Sequence, residues 1–110
     1  MSRPRVTVAE LERLCEKVNR LQNRPTVSYT RLAGPPYNVA NVGHIGIGIW
    51  APGDGWARYS VEETVNEAGG VSIVQSGMTA RECRTYLEGV LDTLYTIAQV
   101  ARRAAEEAGA

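Results

Sequence analysis

Asn41–Tyr59, reading NVGHIGIGIWAPGDGWARY, is the stretch on which the fold turns. Ile45, Ile47 and Ile49 recur at every second position, the spacing of a strand with one buried face. His44, Gly46, Gly48 and Trp50 take the alternate positions. Pro52-Gly53-Asp54-Gly55 then gathers turn-favouring residues, and Trp56–Val61 resumes a run rich in aromatic and β-branched residues. A five-residue loop at Ala51–Gly55 sets Trp50 against Trp56, Gly48 against Arg58 and Ile45 against Val61. In that register Ile45, Ile47, Ile49, Ala57, Tyr59 and Val61 share a face that reads as core. His44, Gly46, Gly48, Trp50, Trp56, Arg58 and Ser60 share the other.

Glycine weakens a strand unless something must come close to the backbone. Gly46 and Gly48 therefore make room either for the protein's own side chains or for a ligand. In the second case Trp50 and Trp56 wall the floor, and Arg58 supplies a cation for phosphate or carboxylate.

Upstream, Thr7-Val8-Ala9-Glu10 has the spacing of a capping box, in which side chains at both ends satisfy each other's backbone amides. Leu11, Leu14, Cys15, Val18 and Leu21 follow at helical spacing and predict a helix to about Asn23, which Pro25 ends. Thr26–Ala33 predicts a strand, Gly34-Pro35-Pro36 breaks it, and Tyr37–Val42 leads into the hairpin. Downstream, Asn66–Gly70 predicts a turn and Val71–Gln75 a last short strand. The expected fold is α+β: an N-terminal helix, a four-stranded antiparallel sheet and a long C-terminal helix.

That second helix opens on another capping box, Thr79-Ala80-Arg81-Glu82. Cys83, Leu87, Val90, Leu94, Ile97, Ala101, Ala104 and Ala108 then alternate spacings of four and three, a heptad stripe. A helix over residues 80–108 is roughly 43 Å long at ~1.5 Å per residue. A domain of this size has a radius of gyration of roughly 13 Å. The helix is therefore expected to overhang its sheet, with residues 93–110 entering a homo-oligomer interface, since an exposed apolar stripe calls for a partner. The chain, 1–110, reads as a single domain.

Composition narrows the function. Twelve Lys and Arg balance twelve Asp and Glu, which leaves no electrostatic footprint for nucleic acid or an anionic membrane. No run approaches a membrane span. Cys15 and Cys83 both fall on helical apolar stripes and read as reduced core thiols of a cytoplasmic protein. One histidine and two scattered cysteines are poor metal ligands. There is no P-loop, nucleophile elbow or dinucleotide fingerprint. A non-enzymatic protein without a cofactor is the expectation. The candidate ligand-binding residues are Asn41, His44, Trp50, Trp56 and Arg58 on the hairpin, with Arg81 and Arg84 beside the amides that open the second helix.

NVG at 41–43, GDGWARY at 53–59, NEAGGV at 66–71 and GMTARECRTYLEGV at 77–90, set in an α-β-β-β-β-α order, resemble small phage-encoded proteins over roughly Val8–Asp92. Some small phage proteins of similar architecture are oligomeric sponges that sequester cyclic nucleotide signals made by bacterial immune systems, including cyclic ADP-ribose derivatives. The resemblance implies an anti-defence protein of the host cytoplasm that binds a nucleotide-like, phosphate-bearing molecule. A second reading of the same residues is a protein-interaction or inhibitor module that docks its Trp50/Trp56 tip on a host or defence protein.

Overall fold

A computed structural model describes residues 5–51 and 57–109. They form helix α1 (Val8–Leu21), strands β1 (Tyr29–Arg31), β2 (Asn38–Ala40), β3 (Ile45–Trp50), β4 (Arg58–Thr64) and β5 (Val71–Met78), and helix α2 (Ala80–Gly109). The α+β class, both helices and the antiparallel hairpin are as expected. The single four-stranded sheet is not. The strands divide into a β1–β2 ribbon and a three-stranded sheet of order β3-β4-β5.

Residues around the two prolines account for the division. Tyr37 N–H donates to the Gly34 carbonyl at 2.8 Å across a cis Pro35–Pro36 peptide, and Leu32 N–H donates to the Tyr37 carbonyl at 2.7 Å. So tight a reversal pairs β1 with the residues just beyond the prolines instead of with the sheet. Asn41 then fastens the ribbon, donating from Nδ2 to the Val27 carbonyl at 3.1 Å and accepting the Thr30 hydroxyl at 2.8 Å.

The ribbon hands the chain to β3 through a turn at Asn41–His44. His44 N–H donates to the Asn41 carbonyl, and Gly43 takes φ +93°, a backbone region where glycine meets no Cβ clash. Gly43 N–H donates to the Thr64 carbonyl while Thr64 N–H donates to the His44 carbonyl. Two residues of one strand thus oppose one of the other, a glycine bulge that aims β3 along β4.

In the hairpin, Ile47 faces Val61, Gly48 faces Ser60 and Trp50 faces Arg58. This is displaced by two residues from the five-residue-loop pairing. Because side chains alternate with period two, a displacement of two keeps both faces intact. The turn at Pro52–Gly55 and the candidate Trp56 lie outside the described residues.

One face of the sheet is core. Leu11, Cys15 and Val18 of α1 and Cys83, Leu87 and Leu91 of α2 close over Ile45, Val61 and Met78, with Ile47 and Tyr59 packed at the margin. Ile49, expected in this core, is 54% exposed, because β3 runs on beyond the helical layer. What anchors that layer is Asn19, which is 1% exposed. Its amide donates to the Ile45 carbonyl at 3.0 Å and accepts the Ile45 N–H at 2.9 Å. Asn19 thereby stands in for a neighbouring strand on the outer edge of β3 and satisfies two buried backbone groups.

The opposite sheet face stays open. Val71 pairs with Thr64 and Ile73 with Glu62, so both share that face with Trp50. Trp50, Val71 and Ile73 are 67%, 47% and 59% exposed. β5 itself carries register shifts against β4 between Tyr59 and Glu62, bulges that twist an edge strand away from flat pairing.

Both capping boxes form around a helix start, in different degrees. At α2 the exchange is complete: Thr79 N–H donates to Glu82 Oε1 at 3.0 Å, and Glu82 N–H to Thr79 Oγ1 at 3.1 Å. At α1 only Glu10 N–H to Thr7 Oγ1 is made, at 3.2 Å. The Glu10 carboxylate turns instead toward Arg84, 3.8 Å away. The buried residues of α2 end at Leu91, and every described residue from Tyr95 onward is exposed. Residues 95–109 project roughly 22 Å beyond the core at ~1.5 Å per residue. The radius of gyration is 17.0 Å, well above the roughly 13 Å of a compact chain this long.

Candidate functional site

Of the seven candidate residues, Trp50 and Arg58 lie on the hairpin strands, Asn41 and His44 bound the turn that leads into them, and Trp56 lies outside the described residues. Trp50 stands exposed, directly across the strands from Arg58. Together with Ile49, Ser60, Ile73 and Gly77 they border a shallow depression of about 220 Å³. Arg58 forms no ion pair among the described residues. Its guanidinium lies near enough to the start of α2 to help hold Glu82 below its usual carboxyl range, after the larger effects of the Thr79 backbone amide and hydroxyl.

The glycines are roofed by the hairpin's own side chains, not by a tryptophan or a helix. The His44 ring lies 3.1 Å from where a Cβ on Gly46 would stand. The Glu62 carboxylate and the Ser60 hydroxyl occupy the equivalent space over Gly48, and Ser60 donates to Glu62 at 3.0 Å. The glycines therefore let a carboxylate lie flat on the strands. Glu62 is a site residue the hairpin reading missed. Continuing the alternation of β4 two residues past Ser60 would have placed it on this face.

His44 and Glu62 also border a larger cleft, about 670 Å³, which runs between α1, the chain before β1 and the β3–β4 pair. Its charged rim is Glu12, Glu16 and Glu62 against Arg13. Burial lowers the His44 pKa, so at neutral pH the ring adds no charge. Carboxylates in excess repel an anion. The cleft is large enough for a small ligand, but its charge is wrong for a phosphate.

The remaining candidates are committed elsewhere. Asn41 holds the ribbon through the two bonds described above. The Glu82 carboxylate already takes the backbone amide at the start of α2, so the positive end of that helix carries its own counter-charge. Arg84 bonds Glu88 at 2.8 Å and faces Glu10 across the helices, and Arg81 is exposed. Arg84 borders the groove between α1 and α2, apart from the depression at Trp50 and Arg58.

Cys15 and Cys83 are buried free thiols. Burial first, then Cys83 and Glu12, push the Cys15 thiol up to about 12, and burial raises Cys83. Such thiols are poor nucleophiles. Among the described residues no group of three His, Cys, Asp or Glu side chains could hold a metal ion, and no helix is long and apolar enough to cross a membrane. No protein-family model, curated protein or solved structure matches the chain.

Proposed function

We propose that the protein is a non-enzymatic, self-associating binding module that engages a target protein through the open face of its three-stranded sheet. The observation that carries this reading is Trp50, two-thirds exposed across from Arg58 on a sheet face that neither helix covers. Tryptophan and arginine are the side chains that most often dominate protein–protein anchors. Val71 and Ile73 extend the apolar surface, and Glu62 supplies a charge opposite in sign to Arg58. In the setting implied by the resemblance to phage-encoded proteins, the target is a host or defence protein.

A second reading has one observation in its favour. Trp50 could stack on a base while Arg58 holds a phosphate, making the protein a sponge for a cyclic nucleotide. The depression they border, about 220 Å³, is smaller than the roughly 300–1,000 Å³ of most small-ligand sites. The larger cleft is acid-rimmed. Size and charge both favour the protein target.

One experiment addresses the two readings together. Tagged wild-type protein and a Trp50→Ala/Arg58→Ala double variant, matched by circular dichroism, are used to capture partners from host lysate and are titrated calorimetrically with a panel of cyclic nucleotides. The docking reading expects a specific protein held by wild type and released by the double variant. Nucleotide binding abolished by the double variant would move the conclusion to the sponge. A double variant that behaves as wild type in both arms would refute the open face as the site.

A further inference from the structure

Residues 93–101, Thr-Leu-Tyr-Thr-Ile-Ala-Gln-Val-Ala, contain no charged side chain. Tyr95, Ile97 and Val100 are 49%, 59% and 60% exposed, and at ~100° per residue Ile97 and Val100 emerge on one flank of this part of α2 and Tyr95 on the other, with Thr96 and Gln99 between them. Apolar surface left bare on a helix calls for a partner. The exposed surface agrees. A folded monomer of 12.0 kDa exposes about 6,000 Å², whereas this chain exposes 7920 Å². The excess of roughly 1,900 Å² is more than the ~800 Å² per partner of a standard interface and within the range of obligate ones.

A groove lies beside this segment. Leu14 of α1 with Leu91 and Tyr95 of α2 give it apolar walls, and Arg13, Lys17 and Asp92 line it as well, around about 660 Å³. None of those three charges forms an ion pair among the described residues, whereas Glu16 is held by Arg20 at 2.6 Å and Glu88 by Arg84 at 2.8 Å. The 3.8 Å approach of Arg84 to Glu10 sets the relative level of the helices, so Arg13 and Lys17 stand beside the stretch from Glu88 to Asp92.

We propose that a second copy of the chain lies antiparallel along α2, with its overhanging tail seated in this α1–α2 groove. The inference deepens the self-association named above and rests on it. A twofold axis near Ile97 pairs residues equidistant from that point, as an isologous interface requires. Asp92 then meets the partner's Arg102 and Arg103. The partner's Glu106 and Glu107 arrive at the level of Glu88, across from Arg13 and Lys17. One register therefore answers all three unpaired groove charges and sets Tyr95 of each copy level with the partner's Gln99, both on the groove side of α2. A parallel arrangement sets Arg102 beside Arg102 and leaves Arg13 and Lys17 unanswered.

Cross-linking and charge exchange on the full chain test the arrangement. Gln99→Cys, two residues from the axis on the groove side of α2, is expected to be joined between chains by a short bifunctional thiol reagent, and Ala108→Cys is not. Cys15 and Cys83 are buried and do not compete. Arg13→Glu/Lys17→Glu and Glu106→Lys/Glu107→Lys are each expected to weaken association roughly tenfold or more, as lost surface pairs and new repulsion do. Mixing the two is expected to restore it. Equal cross-linking at residues 99 and 108 would establish a parallel seam and overturn the proposal, as would charge variants that associate like wild type. A monomeric chain whose target capture still depends on Trp50 and Arg58 would overturn this inference alone, leaving the docking face standing. An assembled chain with no such capture would do the reverse.

Discussion

Replacing Asn19 by alanine removes the link between α1 and the edge of β3. The side chain is 1% exposed and bonds both backbone groups of Ile45, at 2.9 and 3.0 Å. Truncation leaves a donor and an acceptor unsatisfied in the interior, each costing about 1–3 kcal/mol. The expected loss is about 2–5 kcal/mol, a large part of the roughly 5–15 kcal/mol that holds a domain of this size. With a urea m-value of ~1.5–2 kcal/mol/M, the unfolding midpoint falls by about 1–3 M. The assay is far-ultraviolet circular dichroism at fixed protein concentration, because the proposed assembly would couple to unfolding. Asn19→Asp sharpens the test. An ionised carboxylate can accept from the Ile45 N–H but cannot donate to its carbonyl, and it introduces a buried charge. Its folded-state pKa is then raised above the unfolded value of about 3.9. The variant is therefore most stable below that value, and stability is lost as pH rises through the folded pKa. An alanine variant with an unchanged midpoint, or an aspartate variant no more stable in acid than at neutrality when compared with wild type, would refute this account of the latch.

Three further outcomes follow from the same geometry. Gly43→Ala, forced to φ +93°, is expected to lose about 1–2 kcal/mol in the same urea assay; an unchanged midpoint would mean the bulge is not held as described. Neither cysteine is expected to react with a thiol reagent at pH 8 until urea unfolds the chain, since the Cys15 thiol sits at about 12; rapid native labelling would contradict the burial. The depressed Glu82 pKa contributes stability above its ordinary value of 4.5 that is lost as pH falls through the folded value. Amide-exchange protection in the first turn of α2, taken relative to the intrinsic rate at each pH, should therefore fall in acid for wild type, and that dependence should vanish in Glu82→Gln.

The two helices were legible in the sequence because caps and apolar spacing are local signals. Thr79 and Glu82, three residues apart, found each other as that spacing implies. The faces of the hairpin were legible because alternation survives a displacement of two residues, even though the pairing partner of every residue changed. The division of the sheet was not. Thr26–Ala33 looks like a sheet strand, and only the bonds across Gly34–Tyr37 reveal its short-range partner. Asn19 was hidden for a related reason. On the sequence it is one polar residue of an amphipathic helix, and its two bonds are to a residue 26 positions away. The candidate site suffered most from such long-range effects. The sequence pattern groups Arg84 with Arg58, while folding commits Arg84 to Glu88 and Glu10.

The mass of the protein in solution tests the proposed self-association most directly, because the bare flank of α2, the excess surface and the groove charges are what support a second copy. Light scattering coupled to size-exclusion chromatography at micromolar concentration is expected to give an even multiple of 12.0 kDa, falling toward the single-chain value for Tyr95→Glu, a change in the groove lining. A wild-type chain that runs as a 12.0 kDa monomer across the accessible concentration range would contradict the account.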